Sequence, residues 1–458
     1  GRGLPGRGEK VMGRSKLGIC MFWNVLGMLG LSGNILADTF FVADRLGADG
    51  LAALNLAVSV FGMINGTGMM RGIGGSTRWA ISAAAGRERE GRGAFLLASA
   101  MGAGAGLFLA AAGTFGAEWL AGVLGAEGEI LPLCASYLKI ILQFSPLFIC
   151  NHVFIAFMRG SGSPGMAMGG MMAASLTNIV LDYLFMYPLG WGIRGAAFAT
   201  ALAPAAGLAV AAVWLAGNRA FFSLKGAGAF FISSFWPAAG DLIRLGGAAF
   251  VNESSTAAVM AVLNLLILEK AGSVGVAAYG IVANLALVTA AVFTGISQGC
   301  QPLIASAHGR GRGEEGADIY RKAGRLAGAL GLTAVLAAWW FAPVLTALFN
   351  GAGDPVLQQT AETGLRLYFI GFLFVGWNLM TAAFLGAVER TGPAFRFSVF
   401  RGFLGIVGAA LVLSQMMGLA GVWLAFPAAE LAARILGRRF MPLPGDTVFQ
   451  ISGTDGGV

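Results

Sequence analysis

NILADTFFVADRLG, residues 34–47, places a carboxylate, Asp38, near the end of the first hydrophobic segment of the chain. The residues before it, FWNVLGMLGLSG at 22–33, carry no charge, and TFFVA follows it directly. A charged side chain inside a membrane helix is costly, and such residues mark functional sites by default. This stretch therefore predicts a membrane helix that carries a buried ionisable group.

The composition of the whole chain is that of a membrane protein. Of its 458 residues, 57% are hydrophobic and only 11% are charged, with a mean hydropathy of +0.75. Soluble domains carry about 25% charged residues. The four cysteines stand in or beside apolar runs without C-x-x-C spacing, so the sequence predicts neither a disulfide framework nor a zinc site.

Hydropathy and loop signals predict twelve transmembrane helices. They lie near 17–41, 50–73, 94–122, 129–158, 165–187, 193–217, 243–268, 276–301, 323–349, 362–387, 395–416 and 419–437. An even number of spans puts both termini on one side, and 24 of the 30 Lys and Arg residues fall on that side. Because cytoplasmic loops hold the excess of basic residues, we expect a multi-pass protein of a prokaryotic plasma membrane with both termini in the cytoplasm. The formal charge of +8 then reflects orientation, and no nucleic-acid partner is expected.

The two halves of the chain resemble each other at an offset of 225 residues. RLGADGLAALNLAV at 45–58 is similar to KAGSVGVAAYGIVA at 270–283, and GIRGAAFA at 192–199 is similar to GLAGVWLA at 418–425. Since the offset corresponds to six helices, the halves are parallel repeats, as in many secondary transporters. The predicted organisation is a first six-helix lobe (1–217), a cytoplasmic linker (218–242), a second six-helix lobe (243–440) and a tail (441–458).

Several motifs resemble those of the multidrug and toxic compound extrusion (MATE) transporters. They are LADTFFVADRLG in the first span, GLAALNLAVSVF in the second, LTNIVLDYLFMYPLGWGIRGAAFAT in the fifth and sixth, and GISQGCQPLIASAHG at the end of the eighth. The resemblance implies twelve helices in two pseudo-symmetric six-helix lobes around a central cleft. It also implies export of amphipathic, often cationic organic compounds against an inward flow of protons or sodium ions.

The site residues are most similar to those of the DinF-like branch, which couples through its first lobe. That branch has an acid in the first helix, an Asn and an Asp one turn apart in the fifth and a Thr in the sixth. The matching positions are Asp38, Asn178, Asp182 and Thr200. The resemblance implies that these four residues bind the coupling ion.

The chemistry of these four residues suits either coupling ion. Asn178 and Asp182 are four residues apart, so they project from one helix face. The four side chains offer oxygen ligands, which suit a hard cation such as Na⁺. Burial and mutual repulsion of two carboxylates would equally favour binding of a proton, so the choice stays open. A buried aspartate can also cap a broken helix; against that reading, the repeat partner of Asp182 is Gly408, although a scaffold acid should recur in both halves.

Three further polar residues are candidates with open roles. Glu253 in the seventh span is predicted either to attract cationic substrate or relay protons, or to be structural. In another branch of the family it would pair with an Asp of the tenth helix, but the tenth span here has no acid. His152 is either a packing residue or a proton relay. Glu430 is predicted to pair with Arg434 one turn later.

Competing functions leave weaker traces in the sequence. A flippase or exporter of a lipid-linked or other metabolite is the alternative within the superfamily, but flippases usually need a basic cavity, and Lys and Arg are nearly absent from mid-span positions. Neither an enzyme's catalytic constellation nor a receptor's extramembrane domain is found. The expected protein is not an enzyme, has no cofactor beyond H⁺ or Na⁺ as coupling ion, acts as a monomer, and binds small organic molecules and membrane lipids.

Overall fold

The computed structural model describes residues 7–218, 227–350 and 353–441, and no strand occurs within these ranges. In the first half, α1 is Lys16–Gly47, α2 is Asp49–Ala84, α3 is Glu88–Val123, α4 is the bent pair Ile130–Gln143 and Ser145–Gly160, α5 is Pro164–Met186 and α6 is Gly192–Gly217. In the second half, one helical run, Ala227–Gly309, contains α7 and α8, which meet at Gly272. There α9 is Gly313–Ala347, α10 is the bent pair Pro355–Phe369 and Phe372–Ala387, α11 is Thr391–Met417 and α12 is Leu419–Phe440.

This arrangement confirms the predicted all-α fold of twelve membrane helices. Within the described ranges, nine helices are apolar and long enough to span a membrane, and each of the two bent pairs adds one span. One of the nine, Phe235–Gly309, has 75 residues. At the rise of an α-helix it is about 110 Å long, which is enough to cross the bilayer core twice. Gly272, with φ 63°, interrupts this run and divides it into two spans, which brings the number of spans to twelve.

The predicted and observed helix boundaries differ most on the side where α1 begins and α12 ends, which we call the terminal face. There α2 ends at Ala84 instead of 73, and α3 begins at Glu88 instead of 94. Likewise α8 ends at Gly309 instead of 301, and α9 begins at Gly313 instead of 323. Hydropathy marks only the part of a helix that lies in lipid. These helices continue into more polar sequence, where they pack against one another.

The predicted linker, residues 218–242, is described only in part. Residues 219–226 lie outside the described residues, and the chain is helical from Ala227 onwards. Ala239 and Leu242 are buried against the first half, beside Trp79. The end of the predicted linker is therefore the first part of α7. Residues 1–6 and 442–458, which the predicted first lobe and tail include, lie outside the described residues.

Backbone geometry repeats between the two halves. Positive φ angles occur in matched pairs at offsets of 225 to 227 residues: 47 and 272, 86 and 311, 128 and 353, 162 and 389, 192 and 418. All of these positions are glycine except Glu389, whose φ is 59°. An L-residue in this region is uncommon. The same chain reversals therefore recur in both halves, as expected for parallel repeats.

The two halves meet at the terminal face through glycines that let backbones touch. A Cβ atom built on Gly246 of α7 would lie 1.8 Å from the carbonyl oxygen of Met70 in α2. A Cβ on Gly309 of α8 would lie 2.3 Å from the carbonyl oxygen of Ile81, again in α2. No side chain larger than hydrogen fits at either position without movement of the backbone.

An ionic cluster joins the halves at the same face. Arg78 of α2 donates through Nε to Asp241 of α7 at 2.7 Å, and its Nη1 lies 2.9 Å from Glu389, in the turn between α10 and α11. His308 Nε2, at the end of α8, lies 3.3 Å from the same Glu389 carboxylate. The hydrogen bond from His308, and then the charge of Arg78, hold the pKa of Glu389 below its ordinary value against the effect of burial. A carboxylate with a lowered pKa stabilises the contact above its ordinary pKa and loses that contribution only as the pH falls through the lowered value.

Toward the other side of the bundle, the opposite face, the buried apolar clusters of the halves are separate. One cluster includes Val42, Leu54 and Ile193, and all of its described members belong to the first half. Another joins Ala278, Ile281 and Ala361, all from the second half. Among the described residues, the ion pairs and glycine contacts above thus join the halves at the terminal face, and each half has its own apolar cluster toward the opposite face.

We expect Arg78→Gln to loosen the terminal face. The change leaves Asp241 and Glu389 without their shared cation, and an ion-pair group of this exposure contributes about 1 kcal/mol, or about a five-fold shift in an equilibrium. Native Cys20 reports on this contact, because a Cβ on Gly299 of α8 would lie 2.9 Å from the Cys20 carbonyl oxygen. Alkylation of Cys20, followed by mass spectrometry of its peptide, should become about five-fold faster.

The matched control is Arg92→Gln. Arg92 pairs with Glu88 at 2.9 Å on one face of α3, and this pair does not join the lobes. Its loss should leave the alkylation rate of Cys20 unchanged. An equal effect of both substitutions, or none of Arg78→Gln, contradicts the assignment of the cluster as the contact that holds the terminal face closed.

Candidate functional site

One face of α5 carries two of the predicted site residues into the first lobe. The buried positions of this helix include Ser175, Asn178, Asp182 and Met186, at spacings of three and four. The other side of helix α5 is apolar and exposed. Both Asn178 and Asp182 have no exposed surface, so the i,i+4 spacing predicted from the sequence does place them side by side in the interior.

Asp38 of α1 approaches the same interior from a neighbouring helix. It lies close enough to Asp182 for the two carboxylates to interact electrostatically. The Oδ1 atom of Asp38 is shielded from solvent and has no hydrogen-bond partner among the described residues. Asn34, one turn earlier on α1, has a shielded and unpartnered Oδ1 as well. Asn34 is not among the site residues predicted from the sequence.

Thr200 of α6 completes the predicted set. Its hydroxyl oxygen accepts a hydrogen bond from Asn178 Nδ2 at 3.4 Å. Because the amide of Asn178 donates there, its carbonyl oxygen, Oδ1, remains as an acceptor and has no described donor. Pro204, inside α6, lacks the N–H that would bond the Thr200 carbonyl four residues earlier. The backbone oxygen of Thr200 therefore lacks its helical donor too.

Tyr137 of α4 joins this cluster and is not among the residues predicted from the sequence. It is buried and lies close enough to Thr200, Asp38 and Asp182 to interact with them electrostatically. A buried tyrosine hydroxyl normally finds a polar partner. In the sequence it stands in an apolar span, LCASYLKIIL at 133–142, where nothing distinguishes it from a packing residue.

These residues surround the site with acceptors that lack donors. The shielded and unpartnered oxygens are Asn34 Oδ1, Asp38 Oδ1, Asn178 Oδ1 and both carboxylate oxygens of Asp182. Buried polar atoms are nearly always hydrogen-bonded, and a buried unpaired carboxylate is costly. A bound proton or a small cation would satisfy such a group of oxygens. No described backbone N–H donates to either aspartate, which speaks against the helix-capping alternative.

The cluster fits a hard cation better than a transition metal. Within the described chain, no three His, Cys, Asp or Glu side chains come together as a metal site. The two carboxylates are accompanied by amide and hydroxyl oxygens, which are the ligands that hard cations such as Na⁺ take. The same oxygens would serve a proton, so the geometry is compatible with both ions.

The two remaining candidates lie apart from this cluster. His152 of α4 pairs with Asn65 of α2, with Nε2 3.1 Å from Oδ1, and packs against Gly68 and Gly72. Glu253 of α7 belongs to the second half, and its backbone approaches α2, since a Cβ on Gly62 would lie 3.6 Å from the Glu253 carbonyl oxygen. No described residue forms a hydrogen bond or ion pair with the Glu253 carboxylate.

The expected pairing of Glu430 with Arg434 is wrong. Glu430 of α12 is buried, and its carboxylate lies 2.9 Å from Arg401 of α11 and accepts from Asn378 of α10 at 2.7 Å. Arg434 instead lies over the ring of Trp377, 4.6 Å from its centroid. Glu430 faces inward, toward α10 and α11, because it lies on the buried side of α12.

Comparisons with known proteins agree on one family. The family model MatE matches residues 25–184 and 249–411, once in each half of the chain. The multidrug export protein MepA of Staphylococcus aureus (strain MSSA476) is 26% identical over 394 residues, which are 84% of this chain and 83% of that protein. MepA of Staphylococcus saprophyticus is 27% identical over 260 residues, or 56% of each chain.

Solved structures share the fold. A MATE protein crystallised in complex with MaL6 superposes with a TM-score of 0.87 at 24% identity, covering 93% of this chain and 95% of that one. An outward-facing multidrug resistance MATE family transporter of the MOP superfamily gives the same values. A MOP superfamily transporter from Pyrococcus furiosus has a TM-score of 0.86 at 24% identity, with the same coverage.

We expect Asp182→Asn to remove the dependence of thermal stability on a cation. A proton or Na⁺ that binds the folded protein stabilises it by about 2.7 kcal/mol at one hundred times its dissociation constant. The melting temperature of the purified wild type should therefore rise with Na⁺ concentration or on acidification. In Asp182→Asn this rise should vanish, because the amide cannot take up either ion as the carboxylate does.

Asp44→Asn is the control for this measurement. Asp44 lies at the end of α1, is exposed, and accepts a hydrogen bond from Tyr187 outside the cluster. It should keep the wild-type response. A response of Asp182→Asn equal to that of the wild type would show that the cluster is not the cation site.

Proposed function

The chain belongs to the MatE family, and on that premise we propose that it is a secondary active antiporter. It exports amphipathic or cationic organic compounds against an inward flow of H⁺ or Na⁺, by alternating access. The observation that carries this proposal is the group of buried oxygens without donors in the first lobe, at Asp38, Asn178 and Asp182. We assign the chain to the DinF-like branch, since the counterparts of Asp38 and Asp182 in the second half are Leu263 and Gly408.

The position of the cluster supports loading from the opposite face. Asp182 lies four residues before the end of α5 at Met186, which is about 6 Å at the rise of an α-helix. Each lobe has its own apolar cluster on this side. An ion that enters between the lobes from the opposite face would reach the carboxylates, while the ionic cluster of Arg78 keeps the terminal face closed.

We propose that the terminal face is cytoplasmic, since the sequence predicts 24 of the 30 basic residues on the side of the two termini. The arrangement described above is then the outward-facing one. An ion that binds the first lobe more tightly in one arrangement of the lobes shifts the equilibrium toward that arrangement, and cargo shifts it toward the other. Two ligands that favour opposite arrangements exchange across the membrane, which is the physical content of antiport.

The relatives support the substrate class. The Staphylococcus proteins that match most of this chain are multidrug export proteins. We carry this activity over as a proposal, together with a multi-pass plasma-membrane location and a monomeric state. Export or flipping of a lipid-linked or other metabolite remains the alternative cargo; it would need a broad basic cavity rather than single buried arginines.

Asp38→Asn and Asp182→Asn should each uncouple transport. In proteoliposomes with an imposed pH gradient or an imposed Na⁺ gradient, efflux of a fluorescent cationic dye should fall about ten-fold or more for each variant. The reason is that a neutral amide neither takes up a proton near neutral pH nor offers Na⁺ a negative charge. Applying the two gradients separately identifies the coupling ion.

Asp44→Asn again serves as the control and should transport like the wild type. If both cluster variants retain gradient-driven efflux, the coupling site lies elsewhere. If the wild type itself responds to neither gradient, the antiport proposal fails.

A further inference from the structure

Arg159, in the last turn of α4, lies in the interface between the two lobes. Its Nη1 donates to the side-chain oxygen of Gln298 in α8, which belongs to the other lobe. Its Nη2 lies 4.0 Å from the sulfur of Met171. Its Nε is shielded from solvent and has no hydrogen-bond partner among the described residues. The guanidinium thus meets only neutral acceptors.

This pairing differs from that of two other arginines that join helices. Arg78 lies against three carboxylates, and Arg401 against the buried carboxylate of Glu430. No described carboxylate comes within ion-pair distance of Arg159. A guanidinium removed from water prefers a carboxylate, sulfonate or phosphate, which it binds through two parallel charge-assisted hydrogen bonds. The chain therefore places a strong hydrogen-bond donor for anions at the interface between the lobes, with no described carboxylate of the chain beside it.

The surroundings of Arg159 are polar on both sides of the interface. A crevice of about 20 Å³ is bordered by Arg159 and Thr77 from the first lobe, and by Gln298 and Gln301 from the second. That space holds about one water molecule, so the crevice is closed to an organic ligand in this arrangement. It lies on the closed side of the bundle, and separation of the lobes there would pull Gln298 away from Arg159.

We propose that Arg159 is the anion-binding residue of the cargo site, and that it receives a carboxylate, sulfonate or phosphate group of the exported compound. This inference rests on the proposed function. When the terminal face opens, the guanidinium loses Gln298 and takes the acidic group of the cargo. When the face closes, the side-chain oxygen of Gln298 displaces that group, so closure and release are one event. Among the amphipathic compounds of the proposed function, the preferred cargo is then one that carries an acidic group, as an acid or a zwitterion.

The test compares two dyes that differ only in the acidic group: a zwitterionic rhodamine with a free carboxylate, and its ethyl ester. Binding to the purified full chain in nanodiscs is measured by fluorescence anisotropy, and transport is measured in proteoliposomes. In Arg159→Gln, affinity for the acid should fall about ten-fold or more, as expected when a charged hydrogen-bond donor is lost. Affinity for the ester should stay within about two-fold, and Arg159→Lys should restore part of the affinity for the acid.

Arg71→Gln is the matched control. Arg71 is also an arginine within a span of the first lobe, with a shielded and unpartnered Nε, but its Nη1 donates to the carbonyl of Thr67 on its own helix at 2.9 Å. It should bind both dyes like the wild type. Equal losses for acid and ester in Arg159→Gln, or no loss, overturn the proposal.

Two further outcomes separate this proposal from its neighbours. Binding of the acid in chloride and in gluconate distinguishes a cargo group from a free anion: if chloride abolishes the acid's advantage at low millimolar concentration, the site is a chloride site and the cargo assignment is overturned. If the wild type binds the acid through Arg159 but transports neither dye under any gradient, the antiport proposal fails while the anion site stands. If gradient-driven transport of the ester occurs and Arg159→Gln changes neither dye, the anion site fails while the antiporter stands.

Discussion

One constraint governs this structure: each buried oxygen atom must have a proton or a cation beside it. In lipid no water is at hand to meet that demand, so each acceptor that the protein leaves unpaired must be met by something that arrives. The first lobe collects such acceptors on α1 and α5, close to the face where the lobes are separate. In the proposed function, the access of an ion to these acceptors depends on helices that meet through glycines at the terminal face and share no described apolar cluster toward the opposite face.

Much of the fold could be predicted because it depends on composition and periodicity. The twelve spans follow from hydropathy, and the two lobes follow from the repeat. The predicted residues also lie together in the structure: Asn178, Asp182 and Thr200 are buried together, and Asp38 lies near Asp182. Its role in ion coupling stays a prediction.

What could not be predicted depends on contacts between distant helices. Tyr137 joins the cluster from an apolar segment whose letters give no sign of it. Glu430 pairs with Arg401, 29 residues away, instead of with the arginine on its own helix, because the helix turns the carboxylate inward. The helix ends at the terminal face were underestimated for the same reason: packing between lobes, not hydropathy, stabilises their last turns. Nothing in the sequence around Arg159 indicates that it contacts Gln298.

The turn at Glu389 shows what a doubled chain makes available. In the first half the matching turn uses Gly162, which adopts a left-handed backbone without cost and has no side chain to make a further contact. In the second half Glu389 adopts the same left-handed backbone conformation. The conformational energy that this costs is offset by the contacts of its carboxylate with Arg78 and His308. A duplicated scaffold holds two copies of every corner. One copy can keep a glycine that only makes the turn, and the other copy can carry a side chain that joins the two lobes.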